Sequence, residues 1–286
     1  NKMIFNKLND SLNCKTKLVK AKLVFTEGSV PRNKDTFMFI STSKIFGTIG
    51  GGQLEYLIIN KARNILKNNK KNYSTKVNIP LGPAIGQCCG GYAQIELIKF
   101  ENGKDAYKSE KKFYNQSKND LYIFGAGHIG QEISKRSIDL DFNINLIDSR
   151  KEYLDTPKEK DIIKIYAKYP WMLIKNLPKS AYYIILTHSH DYDFKIINEL
   201  LNFDTFDFIG LIGSKTKRKK FDKRFLDLGH DRLLMNKIEC PIGLSTITSK
   251  KPGEIAISII GRLLEFRTNI ISTQIENKDL LNSNVK

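Results

Sequence analysis

A glycine-rich turn between a predicted strand and a predicted helix places the strongest constraint on the fold of this chain. In the segment LYIFGAGHIGQEIS, residues 121–134, Gly125, Gly127 and Gly130 have the spacing G-x-G-x-x-G. The first glycine permits a tight turn, the second lets the backbone approach a phosphate, and the third lets the helix pack closely on the strand. The pattern predicts a Rossmann-like unit in which the start of the helix can bind an anion, and His128 lies within this turn.

Short apolar segments and helical patterns alternate after this turn. The apolar segments are INLID, IIKI, YYIILT and FDFIGLIG. Strands that alternate with helices imply crossover connections and a parallel sheet. Asp148, which ends INLID, stands where an acidic side chain accepts hydrogen bonds from a ribose, so NAD(P) or another nucleotide is a candidate ligand. A Rossmann-like domain that binds no nucleotide is the alternative, because a fold does not dictate its ligand.

The first part of the chain is predicted to be mixed α/β. KLVKAKLVF and TFMFIS have the apolar patterns of strands, and YAQIELI alternates apolar and polar side chains. Between them, QLEYLIINKARNIL carries apolar residues at helical spacing. The fold class is therefore α/β, with an N-terminal mixed α/β domain followed by a Rossmann-like parallel-sheet domain.

Changes in composition divide the chain. We expect an N-terminal domain with glycine loops and a Cys-Cys motif over residues 1–100, and a Rossmann-like domain over residues 120–268. Residues 101–119 are polar, charged and poor in aliphatic side chains, which is typical of a linker. Residues 269–286 form a polar tail that is expected to fray.

Two glycine loops of the N-terminal domain are candidates for phosphate contacts. GTIGGGQLE frees the backbone at Gly50, Gly51 and Gly52 ahead of a helix, but it lacks the lysine of a P-loop and so does not favour ATP hydrolysis. GSVPR adds the hydroxyl of Ser29 and the guanidinium of Arg32, which can bind a phosphate in a bidentate manner. Each loop alone is equally compatible with a structural turn.

The segment LGPAIGQCCGG places Gln87 and two adjacent cysteines, Cys88 and Cys89, among glycines. Neighbouring side chains of an extended chain point to opposite faces, so both thiols cannot easily hold one metal. We expect one thiol to face a ligand while the other packs, since thiolates suit soft or borderline metals and sulfur transfer. A buried packing role for either cysteine is the alternative.

Histidines follow the predicted strand YYIILT. His188, His190 and Asp191 come at its carboxyl end, the edge at which open α/β sheets bind ligands. Alternation along an extended chain would point the two histidines the same way, as ligands or as a ligand and a base. In the alternative, Ser189 or Asp191 caps the following helix. The spacing is not that of a zinc site.

The net charge of the chain is +17, and the basic run KTKRKKFDKR covers residues 215–224. Most of the excess is scattered lysine, which does not favour a nucleic-acid partner. Cations in the first turn of a helix oppose its dipole. We therefore expect Lys217 and Arg218 to meet an anion, either a cofactor phosphate or the acidic residues of a partner protein.

Cysteine content and hydropathy bear on the compartment. Four cysteines in 286 residues are too few for a disulfide framework and predict a reducing, cytoplasmic environment. No apolar run approaches the roughly 20 residues of a membrane span, and no signal-peptide pattern opens the sequence. We therefore expect no membrane partner.

The series of motifs resembles that of the xanthine dehydrogenase accessory factors of the XdhC/CoxI type. The resemblance rests on GSVPR, GTIGGGQLE and LGPAIGQCCGG, followed by FGAGHIG, THSHDYD, FIGLIGSKTKRKKF and CPIGLSTITSKKPGEIAISI. Two positions depart from the usual family pattern. Asp35-Thr36 stands in place of Gly-Ala after GSVPR, and Gly261-Arg262 stands in place of Ala-Glu in the last helix.

The resemblance implies a chaperone that binds molybdenum cofactor (molybdopterin) as cargo, supports its sulfuration and inserts it into a xanthine dehydrogenase-type molybdenum hydroxylase. A cysteine desulfurase and, in a homodimer, a second copy of the chain are further implied partners. One of Cys88 and Cys89 would contact the molybdenum. The candidate cofactor-binding residues are Ser29, Arg32, Gly50, Gly51, Gly52, Gln87, Cys88, Cys89, Gly125, Gly127, His128, Gly130, Asp148, His188, His190, Asp191, Lys217 and Arg218.

An NAD(P)-dependent oxidoreductase is the alternative function. It would use the GAGHIG loop for the cofactor and a histidine as acid or base. Hydride transfer does not require the segments CCGG and GTIGGG, so these segments favour a maturation factor over an enzyme.

Overall fold

The computed structural model describes residues 16–71, 73–82, 90–116, 119–156, 158–178, 180–202 and 206–283. The chain divides into two compact units, Asn1–Ser117 and Lys118–Lys286. Among the described residues, no helix is both long enough and apolar enough to cross a bilayer.

The first unit contains one antiparallel sheet in the order β3-β2-β1-β5-β4. Its elements are β1 (Leu18–Glu27), β2 (Phe37–Ile40), β3 (Ile45–Gly47), α1 (Gly52–Lys67), β4 (Ser74–Leu81), β5 (Gly91–Phe100) and α2 (Gly103–Gln116).

Helix α1 packs on one face of this sheet, and the pattern of buried residues explains why. Leu54, Ile58, Ala62 and Leu66 recur at helical spacing and form one core with buried residues of β1, β2, β4 and β5. On β5 every second side chain is buried, as alternation predicts for a strand with one covered face.

Helix α2 occupies most of the segment whose composition predicted a linker. Ala106 is fully buried and packs with Leu18, Phe37, Phe39 and Phe46 on the other face of the sheet. The half-buried Tyr107 packs against the same cluster. Two adjacent residues thus dock the helix, which is why the polar composition of the segment did not indicate it.

The second unit contains a parallel sheet in the order β11-β10-β9-β6-β7-β8. Its strands are β6 (Asn119–Phe124), β7 (Phe142–Asp148), β8 (Ile162–Tyr166), β9 (Tyr182–Ile185), β10 (Phe208–Leu211) and β11 (Ile238–Glu239). Its helices are α3 (His128–Arg136), α4 (His190–Asn202), α5 (Lys215–Asp227), α6 (Arg232–Asn236) and α7 (Pro252–Ser283).

This strand order is that of a doubly wound Rossmann domain and confirms the predicted fold class. The order reverses between β6 and β9, and such a switch point opens a crevice at the carboxyl ends of the two strands. Buried apolar clusters cover both faces of the sheet. Helix α7 continues to Ser283 and so includes residues 269–283 of the predicted polar tail.

Candidate functional site

Packing within the second unit requires two of the three glycines in the G-x-G-x-x-G turn. Gly125 has a φ of +123°, and a Cβ atom there would collide with the carbonyl of Leu186. At Gly130 a Cβ atom would collide with the carbonyl oxygen of Gly125, where α3 approaches the turn. These contacts account for the tight turn and the close helix–strand packing that the spacing predicts.

Gly127 is the glycine that the fold does not require. Its φ of −67° suits any residue, and a Cβ atom there would have no atom of the described chain within 4 Å. Gly127 is also the N-cap of α3, where no side chain supplies a capping hydrogen bond among the described residues. The start of α3 thus has open space beside an N-cap without a capping side chain, an arrangement that admits an anion.

Neighbouring helices at the same edge of the sheet have side-chain caps instead. Ser189 Oγ accepts a hydrogen bond from Tyr192 N–H at the start of α4 (3.4 Å), and Ser214 Oγ accepts one from Lys217 N–H in α5 (3.2 Å). The cap at Ser189 that we named as one alternative is therefore present at the start of α4. Asp191 is exposed and forms an ion pair with Lys195 (2.8 Å).

The two histidines are in different backbone environments. Strand β9 ends at Ile185, and His190 is already the first residue of α4, where its side chain is exposed. Alternation along an extended chain does not apply to such a segment. The argument that both rings point the same way therefore has no structural basis.

His188 lies beside the glycine turn. It lines a narrow crevice between the ends of β6 and β9 together with Gly125, Asp148 and Thr187. Its ring packs edge-on against Tyr192, with 5.3 Å between the ring centroids. Of the two histidines, His188 is the one that lines this crevice, which is too narrow to hold a water molecule.

Asp148 is bound within the domain rather than directed at an open site. It is buried, and its Oδ2 accepts hydrogen bonds from Ala126 N–H (2.7 Å) and Arg150 Nη2 (3.0 Å). Its Oδ1 accepts hydrogen bonds from Arg150 N–H (2.9 Å) and Arg150 Nε (3.0 Å). Burial would raise the pKa of the Asp148 carboxyl, but these hydrogen bonds outweigh it and lower the pKa. Asp148 thus holds the glycine turn in place. This corrects the expectation that its carboxylate accepts hydrogen bonds from a ribose.

A polar cavity adjoins the start of α3. It has a volume of about 270 Å³ and is lined by His128, Gln131, Glu152, Tyr153 and Thr156. Gln131 Nε2 donates to the carbonyl oxygens of Ala126 (3.0 Å) and Tyr153 (3.3 Å), which closes the inner wall. His128 is exposed at the mouth of this cavity, next to the open space at Gly127.

Lys217 forms a buried ion pair with Asp193. Its Nζ donates to Asp193 Oδ2 (2.6 Å) and to the carbonyl of Ile212 (2.9 Å), and both side chains of the ion pair are buried. The other oxygen of Asp193 accepts hydrogen bonds from Thr187 N–H (3.0 Å) and Thr187 Oγ1 (2.7 Å). We expected Lys217 to meet a cofactor phosphate or the acidic residues of a partner protein. The structure corrects this expectation, because its anion is Asp193 of the same chain, and the pair ties α4 and α5 to the end of β9.

Arg218 is also bound within the domain. Its Nε donates to Asp222 (2.7 Å), and its Nη atoms donate to the carbonyls of Met235 (2.7 Å) and Ile238. The guanidinium thus joins α5 to α6 and β11. Lys217 and Arg218 thus both bind acceptors within the chain.

A carboxylate of the protein occupies the glycine loop of the N-terminal unit. Glu55 Oε2 accepts hydrogen bonds from Thr48 Oγ1 (2.7 Å), Gly51 N–H (2.9 Å) and Ile49 N–H (3.2 Å). These donors are the groups that a phosphate in this loop would use. The loop that we expected to bind a phosphate at Gly50, Gly51 and Gly52 therefore binds the carboxylate of Glu55, to which Gly51 donates.

Three glycine-rich segments meet at one end of the N-terminal sheet. A Cβ atom at Gly50 would press on the ring of Pro31, so the loops GTIGGG and GSVPR are in contact. A Cβ atom at Gly91 would collide with the carbonyl of Ser29, so GSVPR also contacts the start of β5. Ser29 and Arg32 are exposed at this end of the sheet.

Gln87, Cys88 and Cys89 lie outside the described residues. The strands on either side of them are described, and Leu81 at the end of β4 pairs with Gly91 at the start of β5. Glu27, the last residue of β1, pairs with Tyr92. The connection that contains the cysteines therefore leaves and re-enters the sheet at the end where GSVPR lies.

Asp35 explains one departure from the usual family pattern. Its φ is +71°, in the left-handed region that favours glycine, and its carboxylate binds Lys22 (2.7 Å). Its N–H donates to the carbonyl of Leu23 (2.8 Å). The turn thus keeps a glycine-like backbone although the residue is aspartate, which tolerates this region better than most residues.

A larger cavity lies along β11, away from the switch point. It has a volume of about 680 Å³, and Phe206, Phe266, Cys240 and Arg262 are among its lining residues. Arg262 is held by Glu239 and Glu265 (2.8 Å each), and burial raises the pKa of the Cys240 thiol.

Within the described part of the chain, no group of three or more His, Cys, Asp or Glu residues could hold a metal ion.

Sequence reasoning missed Glu55 and Asp193. Both are acids in the first turn of a helix that follows a loop of interest, a position that favours negative charge. This first-turn position is the sequence feature from which an internal anion near each loop could have been predicted. Which donors each carboxylate would bind depends on tertiary contacts that no local pattern contains.

These observations define a two-unit protein with an antiparallel glycine-loop domain and a Rossmann domain. Residues 121–263, half of the chain, match the family described as the XdhC Rossmann domain, and residues 14–75 match the XdhC and CoxI family. The chain therefore belongs to the XdhC and CoxI family.

Two known proteins are similar to this chain over most of its length. Uncharacterized protein YqeB from Escherichia coli K12 is 22% identical over 253 residues, which are 87% of this chain and 43% of that protein. The chain thus spans less than half the length of this curated relative. A crystal structure from Bacillus halodurans, described as a xanthine dehydrogenase, has a TM-score of 0.77 at 18% identity and covers 93% of this chain and 95% of that chain. At this identity the likeness shows a shared fold.

Proposed function

We propose that this chain is an accessory chaperone that binds molybdenum cofactor as cargo. In this proposal it supports sulfuration of the metal and inserts the cofactor into a xanthine dehydrogenase-type molybdenum hydroxylase. Membership of the XdhC and CoxI family supports an accessory role. A cysteine desulfurase is the proposed sulfur source. The cytoplasm is the proposed compartment, because free thiols persist there.

One observation carries the proposal: GSVPR, GTIGGG and the start of β5 pack together at the sheet end where the Cys88–Cys89 connection begins and ends. Molybdopterin offers a phosphate, a flat polar ring system and a metal that favours sulfur ligands. Close backbone approach at glycines, an exposed guanidinium and thiols are the matching groups. We infer that they act at this end of the sheet.

The residues have separate proposed roles. Arg32 and Ser29 bind the phosphate, because Glu55 already holds the loop amides of Ile49 and Gly51. One of Cys88 and Cys89 contacts the molybdenum or relays sulfur. In the Rossmann domain, Gly127 and His128 are proposed ligand contacts, because Gly127 faces open space and His128 lines the polar cavity at the start of α3. His188 is a proposed contact at the narrow crevice beside Gly125.

Nucleotide binding by the Rossmann domain is the second candidate. The strand order and the open start of α3 at Gly127 favour a phosphate-bearing ligand there. Against NAD(P) in particular, both Asp148 oxygens are occupied by Ala126 and Arg150, so no free carboxylate is left for the ribose hydroxyls. Hydride transfer is therefore the weaker proposal.

The test is to purify the chain from cells that make molybdenum cofactor and to measure bound molybdenum, pterin fluorescence and nicotinamide absorbance. We expect molybdenum and pterin in equal amounts. Replacing Cys88 and Cys89 by Ser should lower both, while the control Cys240→Ser should not, because Cys240 lies in the other unit. Bound nicotinamide without pterin would contradict the proposal, as would equal loss in the control.

A further inference from the structure

The outer face of α5 is a basic surface. Phe221 and Phe225 are buried on the inner side of this helix, together with Lys217. Lys215, Lys219 and Lys223 follow one another at intervals of four residues on the opposite side and are exposed. Asp227, at the far end of the helix, is an exposed acid on this side. We call the surface formed by Lys215, Lys219, Lys220 and Lys223 the α5 basic face.

The lysines of the α5 basic face are not neutralised within the protein. Across the described residues, the ion pairs of α5 involve only Lys217 and Arg218, which bind Asp193 and Asp222. Each lysine near the start of the helix also opposes the helix dipole. A cluster of cations in this position repels itself, so an anionic partner would relieve the repulsion.

Exposed leucines extend this face at its far end. Leu226 is 37% exposed, Leu228 is 59% exposed and Leu233, in α6, is 73% exposed. An apolar edge next to a basic face suits a protein surface, because a free phosphate gains nothing from leucine. Both aromatic residues of α5 are buried, so this helix offers no platform on which nucleic-acid bases could stack. Self-association through the same face would bring cations against cations.

We propose that the α5 basic face and its leucines dock an acidic, partly apolar protein surface. The helix starts three residues after Ile212, directly beyond the carboxyl end of β10, so a partner bound there lies at the edge of the sheet that carries the switch point. Identifying this partner as the client hydroxylase rests on the function proposed above. Lys217 and Arg218 contribute indirectly, by holding α5 in place.

The test measures binding of the full chain to the apo form of a xanthine dehydrogenase-type hydroxylase at about 0.05 M and about 0.3 M salt. The variant is Lys215→Glu with Lys219→Glu and Lys223→Glu. The matched control, Lys160→Glu with Lys164→Glu and Lys168→Glu, makes the same charge change at exposed positions around β8. We expect roughly tenfold weaker binding for the α5 variant at low salt, and less than about a twofold change for the control.

A second variant, Leu228→Ser with Leu233→Ser, tests the apolar edge. It should weaken binding several-fold and keep the wild-type salt dependence. Equal loss in the α5 and β8 variants, no binding by the wild type, or tighter binding to a DNA duplex that the α5 variant abolishes would overturn the proposal. Molybdenum content of the same preparations separates the two proposals. Docking without cofactor contradicts only the cargo function, and cofactor without docking contradicts only the α5 face.

Discussion

At the scale of single residues, Gly127 differs from the other glycines of its motif in what surrounds it. Gly125 and Gly130 lie against backbone carbonyls, whereas Gly127 faces open space. The spacing predicted all three positions, because each role depends on local geometry that glycine alone permits. The spacing does not reveal which glycine the protein uses for packing and which it leaves available to a ligand.

This difference predicts that alanine destabilises the protein at Gly130 but not at Gly127. Gly130→Ala should lower the free energy of unfolding by about 1–3 kcal/mol, because the new Cβ atom collides with the Gly125 carbonyl. Gly127→Ala should leave the free energy of unfolding unchanged within about 0.5 kcal/mol. Urea unfolding of both variants measures this contrast. Equal destabilisation by the two substitutions would show that Gly127 is also required by the fold.

Asp148 shows the limit of reading a site residue from its position. The sequence correctly placed an acid at the end of β7, the second strand of the Rossmann unit. Its partners are a guanidinium two residues later and the N–H of Ala126, which reach both carboxylate oxygens. The same residue type at the same position therefore stabilises the turn instead of binding a sugar.

At the scale of elements, the ion pair between Asp193 and Lys217 joins α4 to α5. Opposition to the helix dipole predicted an anion at Lys217, but the one expected was a cofactor phosphate or an acidic residue of a partner protein. The anion is the carboxylate of Asp193, 24 residues earlier in the chain. Which helix would supply it follows from the adjacency of β9 and β10 in the sheet, which the sequence pattern does not specify.

A double-mutant cycle on this pair tests its structural role. Asp193→Asn and Lys217→Met should each lower the free energy of unfolding by about 3–5 kcal/mol, because each leaves a buried charge without its partner. The double variant should lose clearly less than the sum of the two. Chemical denaturation measures all four proteins. Small, additive losses would indicate that Lys217 is free to serve another anion, as first expected.

The segment predicted as a linker contains helix α2, which its polar composition did not indicate. Helix α2 docks through the buried Ala106 and the half-buried Tyr107, and two adjacent residues do not form an apolar period that a sequence pattern could detect. The long final helix likewise continues into a segment read as a tail. Both are helices whose polar stretches lack the apolar repeat by which helices are recognised.

At the scale of the whole molecule, the fold class was predictable because the pattern of apolar segments differs between the two halves of the sequence. Short apolar runs separated by helical patterns predicted the parallel sheet of the second half. The first half was predicted as mixed α/β, and its antiparallel pairing comes from the structure. The right-handed crossover rule restricts how such parallel strands can be ordered. The meeting of three glycine-rich segments at one end of the N-terminal sheet was not predictable, since it depends on strand pairing between distant segments.

Transfer of cofactor to a client enzyme tests the central claim most directly. The purified, molybdenum-loaded chain is mixed with apo-hydroxylase, and hydroxylase activity and the distribution of molybdenum between the two proteins are measured after they are separated. The account predicts that activity appears in proportion to the molybdenum that leaves the chain, and that chain without cofactor gives none. Molybdenum that stays with the chain, with no hydroxylase activity, would contradict the account.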